Sequence, residues 1–193
     1  SALVARWTER TPLAPSHASI GIRPNPAPPV TRSLIVVCRV TTRCNLSCGF
    51  CAFDRRLPFA RTTLDAARIE RLIDLLARHH ADGGPALRPR HPNPGAPLLS
   101  WLGGEPLLWR DWPRYSALAR ARGLAVSTTS NGTTLQQPHV RADVLNHLDE
   151  LTLSVDAIGA THDRLRGWPG GYRRTLDAIE RLARERAATG SAL

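Results

Sequence analysis

The chain has 193 residues and a formal charge of +10, and every one of its 26 basic residues is an arginine. That length supports one substantial core; no run reaches the roughly 18 apolar residues of a bilayer span and the N-terminus has no signal-peptide pattern, so a soluble, cytoplasmic protein without a membrane partner is expected. The arginines are scattered, without an aromatic-interleaved basic run, which argues for a solvated surface and against a nucleic-acid partner.

Residues 1–30 are rich in proline, as in "RPNPAPPV", and missing N–H donors with a fixed φ work against helices and central strands there. We read 1–30 as an N-terminal extension and 31–193 as the core domain. "LIVVCRV" is a β-branched apolar run that predicts a buried strand. After a cysteine-rich segment, Thr62 and Asp65 have capping-box-like spacing, and Ile69, Leu72, Ile73 and Leu76 recur on one helical face. A long Pro/Gly-rich loop, "GGPALRPRHPNPGAP", leads to a second strand in "LLSWLGGEP". Asp111 and Pro113 predict the start of a helix that runs through Leu118 and stops near Gly123. "LAVSTTSNG" is a third strand, Val140 to Leu148 a short helix and "LTLSVDA" a fourth strand. Tyr172, Leu176, Ile179 and Ala183 mark the apolar stripe of a last helix. The order βαβαβαβα predicts an α/β fold with a parallel sheet, in which four strands are too few to close a barrel.

Binding groups in such sheets gather in the loops leaving the C-terminal strand ends, and every unusual motif here falls there. The first is "RCNLSCGFCAF", with Cys44, Cys48 and Cys51 inside eight positions. Cysteines this crowded cannot staple distant loops, so a metal or redox site is expected. Soft thiolates suit an iron–sulfur cluster or zinc. Zinc would need a fourth ligand, for which His79, His80 or His91 are candidates; a four-iron cluster on three cysteines leaves one iron open to another molecule. Cys38 lies inside the apolar strand and reads as a core residue. Ser130 and Asn131, in "TSNGT", are placed to hydrogen-bond a ribose or a carboxylate, though "NG" alone also marks a plain turn. Ser154 and Asp156 fall on one face of the fourth strand by alternation. Asp156 and Asp163 also fit as caps of the following turn, with Arg166 as surface charge.

"CNLSCGFC" resembles the CxxxCxΦC signature of the radical S-adenosylmethionine enzymes, with Phe50 at the aromatic position. "GGEP", "TSNGT" and "SVDAIGATHDRLRG" follow in register. The resemblance implies a partial TIM-like (βα) barrel with parallel strands, holding a [4Fe–4S] cluster on Cys44, Cys48 and Cys51. It implies S-adenosylmethionine on the open iron, cleaved reductively to a 5′-deoxyadenosyl radical that abstracts hydrogen from a substrate, with flavodoxin or ferredoxin as the electron donor. Gly103 and Gly104 would let the backbone approach the ligand, carbonyls toward its ammonium group, and Glu105 would add an acceptor for the same amine. Ser154 would help bind the ribose, and Arg166 the methionyl carboxylate. Relatives with an "HDxxRG" segment modify peptides or proteins, and many continue into a cysteine-rich SPASM-type domain.

Two departures stand out. Ala157 follows Asp156 where many relatives have glycine, and about four βα units are visible where the family core usually has six. The missing units fit a chain incomplete at its C-terminus, and the absence of Met fits a fragment. A zinc-stabilised binding module and an inactive truncated fragment are the competing expectations.

Overall fold

The structure, a computed structural model, describes residues 34–81 and 96–193. The extension read over 1–30, the proline-rich loop over 82–95 and His91 lie outside the described residues. Four parallel strands, β1 (Ile35–Thr41), β2 (Leu98–Gly103), β3 (Ala125–Ser130) and β4 (Glu150–Leu153), lie side by side in chain order. Parallel neighbours cannot be joined by hairpins, so each connection crosses over through a helix. These are α1 (Ala66–Ala81), α2 (Trp112–Ala121) and α3 (Pro138–His147); α4 (Ala160–Arg166) and α5 (Gly171–Thr189) follow β4.

The core lies between one face of the sheet and the helices. Cys38 and Val40 of β1, Leu99 and Trp101 of β2 and Val126 of β3 alternate onto that face and meet Ile69, Ile73 and Leu76 of α1 and Val144 of α3. A fully buried aliphatic side chain of this kind contributes roughly 1.5–3 kcal/mol. Trp101 is fully buried, packs edge-on to Trp109 and donates its indole N–H to Ser116 Oγ at 2.8 Å; Trp109 in turn stacks on Tyr115.

Several local expectations change in the tertiary context. Asp65, not Thr62, caps α1, accepting the N–H of Arg68 at 3.0 Å. Thr62 instead exchanges backbone and side-chain hydrogen bonds with Thr42. Asp111 precedes α2 but makes no side-chain cap, and α3 starts at Pro138, two residues before the apolar pattern begins. The buried stripe of α5 is Thr175, Ala178 and Leu182, whereas Ile179 is 40% exposed. Ile179 and Ala183 line an open apolar groove with Leu151 and Leu153 of β4. Helix α4 lies inside "SVDAIGATHDRLRG", where the sequence suggested only a loop; Gly159 before it and Gly167 after it, both with positive φ, were the available signal.

Candidate cluster and cofactor site

The segments leaving β1, β2, β3 and β4 meet at one edge of the sheet around a pocket of about 200 Å³. Ten of the eleven site residues expected from sequence line it: the three cysteines, Phe50, Gly103, Gly104, Ser130, Asn131, Ser154 and Arg166. Leu46 of the cysteine loop and Leu102 and Thr129, ordinary strand residues in the sequence, complete the wall.

A network of hydrogen bonds within the chain fixes the cysteine loop, in which Leu46 is also buried. Asp54, nearly buried, accepts the N–H of Arg56 at 2.9 Å and pairs with its guanidinium, which also donates to the Ser47 carbonyl at 3.1 Å. Arg61 donates to the carbonyls of Thr42, Phe53 and Asp54 and so ties the two ends of the loop together. Neither arginine is distinguishable in the sequence from its solvated neighbours. Burial pushes the Cys44 and Cys48 thiols up, with the nearby Glu105 carboxylate adding to the rise at Cys44 and Arg166 opposing it at Cys48. Metal binding would have to offset that rise, because the ligand is the thiolate.

Glycine is required at two positions for a reason inside the chain. Gly103 has φ +144°, and a Cβ there would lie 2.1 Å from the Thr41 carbonyl oxygen; one at Gly104 would lie 2.1 Å from that of Arg43. The close approach carries hydrogen bonds, Gly104 N–H to Thr41 O at 2.9 Å and Glu105 N–H to Arg43 O at 2.8 Å. The "GG" pair therefore seats the second loop against the cysteine loop.

Glu105 lies behind the pocket wall and is completely buried. Its carboxylate accepts from Ser130 Oγ at 2.8 Å, Asn131 N at 2.7 Å and Leu107 N at 3.1 Å. Burial raises its pKa and these three donors oppose the rise. In this arrangement it braces the loop after β2 to the loop after β3. Asn131 extends the brace: its amide donates to Asn45 Oδ1 at 3.0 Å, while its Oδ1 accepts from the N–H and hydroxyl of Thr133. Asn45, which also donates to Thr133 Oγ1 at 2.8 Å, was missed in the sequence, where it is only a spacer between cysteines.

The last wall is built by α4. Asp163 accepts the N–H groups of Gly170 and Tyr172 and so caps α5. Gly167, in the left-handed region, ends α4 against Ser47 of the cysteine loop, where a Cβ would lie 3.4 Å from the Ser47 carbonyl oxygen. One residue earlier, the Arg166 carbonyl accepts from Cys48 Sγ at 3.7 Å. The Arg166 guanidinium lies 5.9 Å from the Phe50 ring centre and forms a two-point pair with Asp156.

This donor set fits a cluster. Three free thiols from one loop line one pocket, and soft thiolates suit an iron–sulfur cluster. His79 and His80 lie in the last turn of α1. In a parallel crossover, that helix end sits at the opposite edge of the sheet from the cysteine loop.

The chain belongs to the radical SAM superfamily, which matches residues 38–189. The chemistry of that family uses a [4Fe–4S] cluster and S-adenosylmethionine. The chain is 27% identical over 156 residues to Fe-coproporphyrin III synthase of Methanosarcina barkeri, covering 81% of this chain and 35% of that protein. It is 26% identical over 179 residues to the sporulation killing factor maturation protein SkfB of Bacillus subtilis (92% and 38%). With the GTP 3′,8-cyclase of a Synechococcus strain, identity is 35% over 158 residues (76% and 39%). The chain thus spans little more than a third of the length of these relatives. Among solved structures, Streptococcus suis SuiB bound to S-adenosylmethionine superposes with a TM-score of 0.55 at 19% identity, covering 83% of this chain and 33% of that one. That likeness defines the fold as part of a parallel (βα) barrel. Among the described residues no helix is long and apolar enough to cross a membrane.

Proposed function

We propose that this chain is the cofactor-binding part of an enzyme that cleaves S-adenosylmethionine reductively and abstracts hydrogen from a peptide or protein. The observation that carries the reading is the convergence of Cys44, Cys48 and Cys51 with Gly104, Ser154 and Arg166 on one pocket. When bound, the cluster supplies the electron that splits the sulfonium, a step the protein positions and shields. The chain's own residues do the rest. The cysteines would hold the cluster, and the Gly103–Gly104 carbonyls would accept from the amine of the cosubstrate. Ser154 serves the ribose. Arg166, whose planar fork matches a carboxylate, takes the methionyl carboxylate. Phe50 lines the same pocket and is 61% exposed, so it would shield the cofactor once that is bound. Electrons come from a small donor such as flavodoxin or ferredoxin.

The peptide substrate is supported by the likeness to SkfB and by 30% identity to the PqqA peptide cyclase of Xanthomonas euvesicatoria. The haem-pathway and GTP enzymes among the relatives define the comparison substrates. Anaerobic reconstitution should give about four irons and four sulfides per chain, from cubane stoichiometry. Replacing Cys44, Cys48 or Cys51 with Ala should abolish this, and Cys38→Ala, in the helix-side core, should not. With dithionite and S-adenosylmethionine the chain should release 5′-deoxyadenosine. A mass change in a co-supplied peptide, and none in coproporphyrin or GTP, supports the peptide reading; the reverse refutes it. Tight zinc without iron-dependent absorbance refutes the whole proposal.

A further inference from the structure

The side chain of Arg166 is 11% exposed and is fixed from both ends. Its backbone is held against the cysteine loop, because Gly167, the next residue, abuts Ser47. Its head is held by Asp156: Nε donates to Oδ2 at 2.5 Å and Nη2 to Oδ1 at 2.9 Å. Asp156 is itself anchored. His162, completely buried on α4, accepts the Asp156 backbone N–H on Nδ1 at 3.3 Å.

A guanidinium carries five N–H donors. Asp156 uses two of them, along the Nε/Nη2 edge, so the Nη1/Nη2 end keeps three for a second carboxylate. Arg166 lines the pocket, and Nη1 has no hydrogen-bond partner among the described residues. We propose that Asp156 is a positioning residue: by gripping the Nε/Nη2 edge of Arg166 it presents the opposite end to the carboxylate of S-adenosylmethionine and sets the affinity for that cosubstrate without touching it. The inference rests on the preceding reading of the pocket. Its physical content is pre-organisation. Without Asp156 the long side chain would have to be ordered by the ligand, which costs affinity.

Asp156→Ala and Asp156→Asn test this in the full chain after anaerobic reconstitution. S-adenosylmethionine binding is measured by calorimetry, and the reduced cluster is followed by electron paramagnetic resonance with and without the cosubstrate. Asp156→Ala should bind S-adenosylmethionine roughly tenfold more weakly, and Asp156→Asn, which keeps one acceptor oxygen, should fall between. Iron content and the spectrum without cosubstrate should match wild type. Binding of 5′-methylthioadenosine, which has the adenosine and lacks the carboxylate, should be unchanged.

Unchanged or tighter S-adenosylmethionine binding by Asp156→Ala overturns the proposal, the tighter case making Asp156 a competitor for the guanidinium. Equal losses for both ligands, or a lost cluster with a lowered melting temperature in both variants, overturn it in favour of a purely structural brace. A wild-type chain that holds its cluster but binds no S-adenosylmethionine overturns the preceding reading of the pocket and this inference with it.

Discussion

Gly104→Ala should damage the cysteine loop itself, not only the cosubstrate pocket. The new Cβ would lie 2.1 Å from the Arg43 carbonyl oxygen, 2.5 Å from its carbon and 3.1 Å from Cys44 Cβ. The first two are backbone atoms, so no rotamer change relieves the contact, and the loops must part by more than about 1 Å to reach ordinary van der Waals separation. Parting them stretches the hydrogen bonds from Gly104 N–H to Thr41 O and from Glu105 N–H to Arg43 O, at 2.9 and 2.8 Å. Each is worth about 1 kcal/mol. Overpacking adds about 1–3 kcal/mol, so the loss should be about 3–5 kcal/mol. Urea denaturation of the apo chain measures it, and iron and sulfide per chain after reconstitution should fall in parallel because Cys44 moves with Arg43. Gly49→Ala is the control: its Cβ would meet nothing nearer than Arg56 Nη2 at 3.9 Å, and its effect should stay within about 0.5 kcal/mol. Wild-type stability and iron content in Gly104→Ala would refute the reasoning.

Glu105→Gln keeps one acceptor oxygen but turns an amide donor toward one of three N–H or O–H donors, and should cost about 1–3 kcal/mol in the same denaturation assay. Ser116→Ala leaves the buried Trp101 indole N–H without its acceptor and should cost about 1–3 kcal/mol, with a shift in tryptophan fluorescence as a second readout. Asp163 has its pKa lowered, first by the Tyr172 N–H it accepts; its stabilisation is present above the ordinary Asp value, about 4, and is lost as pH falls through the lower folded value. Glu105, raised by burial, has the opposite sign, its contribution being lost as pH rises through its folded value. Asp163→Asn should therefore lower the melting temperature at neutral pH and flatten its fall on acidification. An unchanged pH profile would show that the cap carries no linkage.

The sequence alone was enough for four parallel strands and for the gathering of ten expected residues at one sheet edge. However, β4 ends at Leu153, so Ser154 and Asp156 lie in the loop beyond it and not on one strand face. The strands and the gathering follow from short-range chemistry: β-branched runs bounded by glycine and proline, 3.6-residue periodicity and the rule that α/β loops converge at the C-terminal strand ends. What each motif residue touches was decided by tertiary structure. Glycines read as a close approach to a ligand are set against Thr41 and Arg43. Glu105, read as facing an amine, accepts three hydrogen bonds behind the wall. Asp156 and Arg166, ten residues apart, meet because α4 folds back onto the cysteine loop. The α5 stripe was assigned in part to the wrong side because periodicity reports which residues share a face, not which face the sheet covers. Asn45, Arg61 and His162 had no signal of their own, since a polar residue in a loop acquires a role only through the carbonyls and carboxylates that the rest of the chain brings to it.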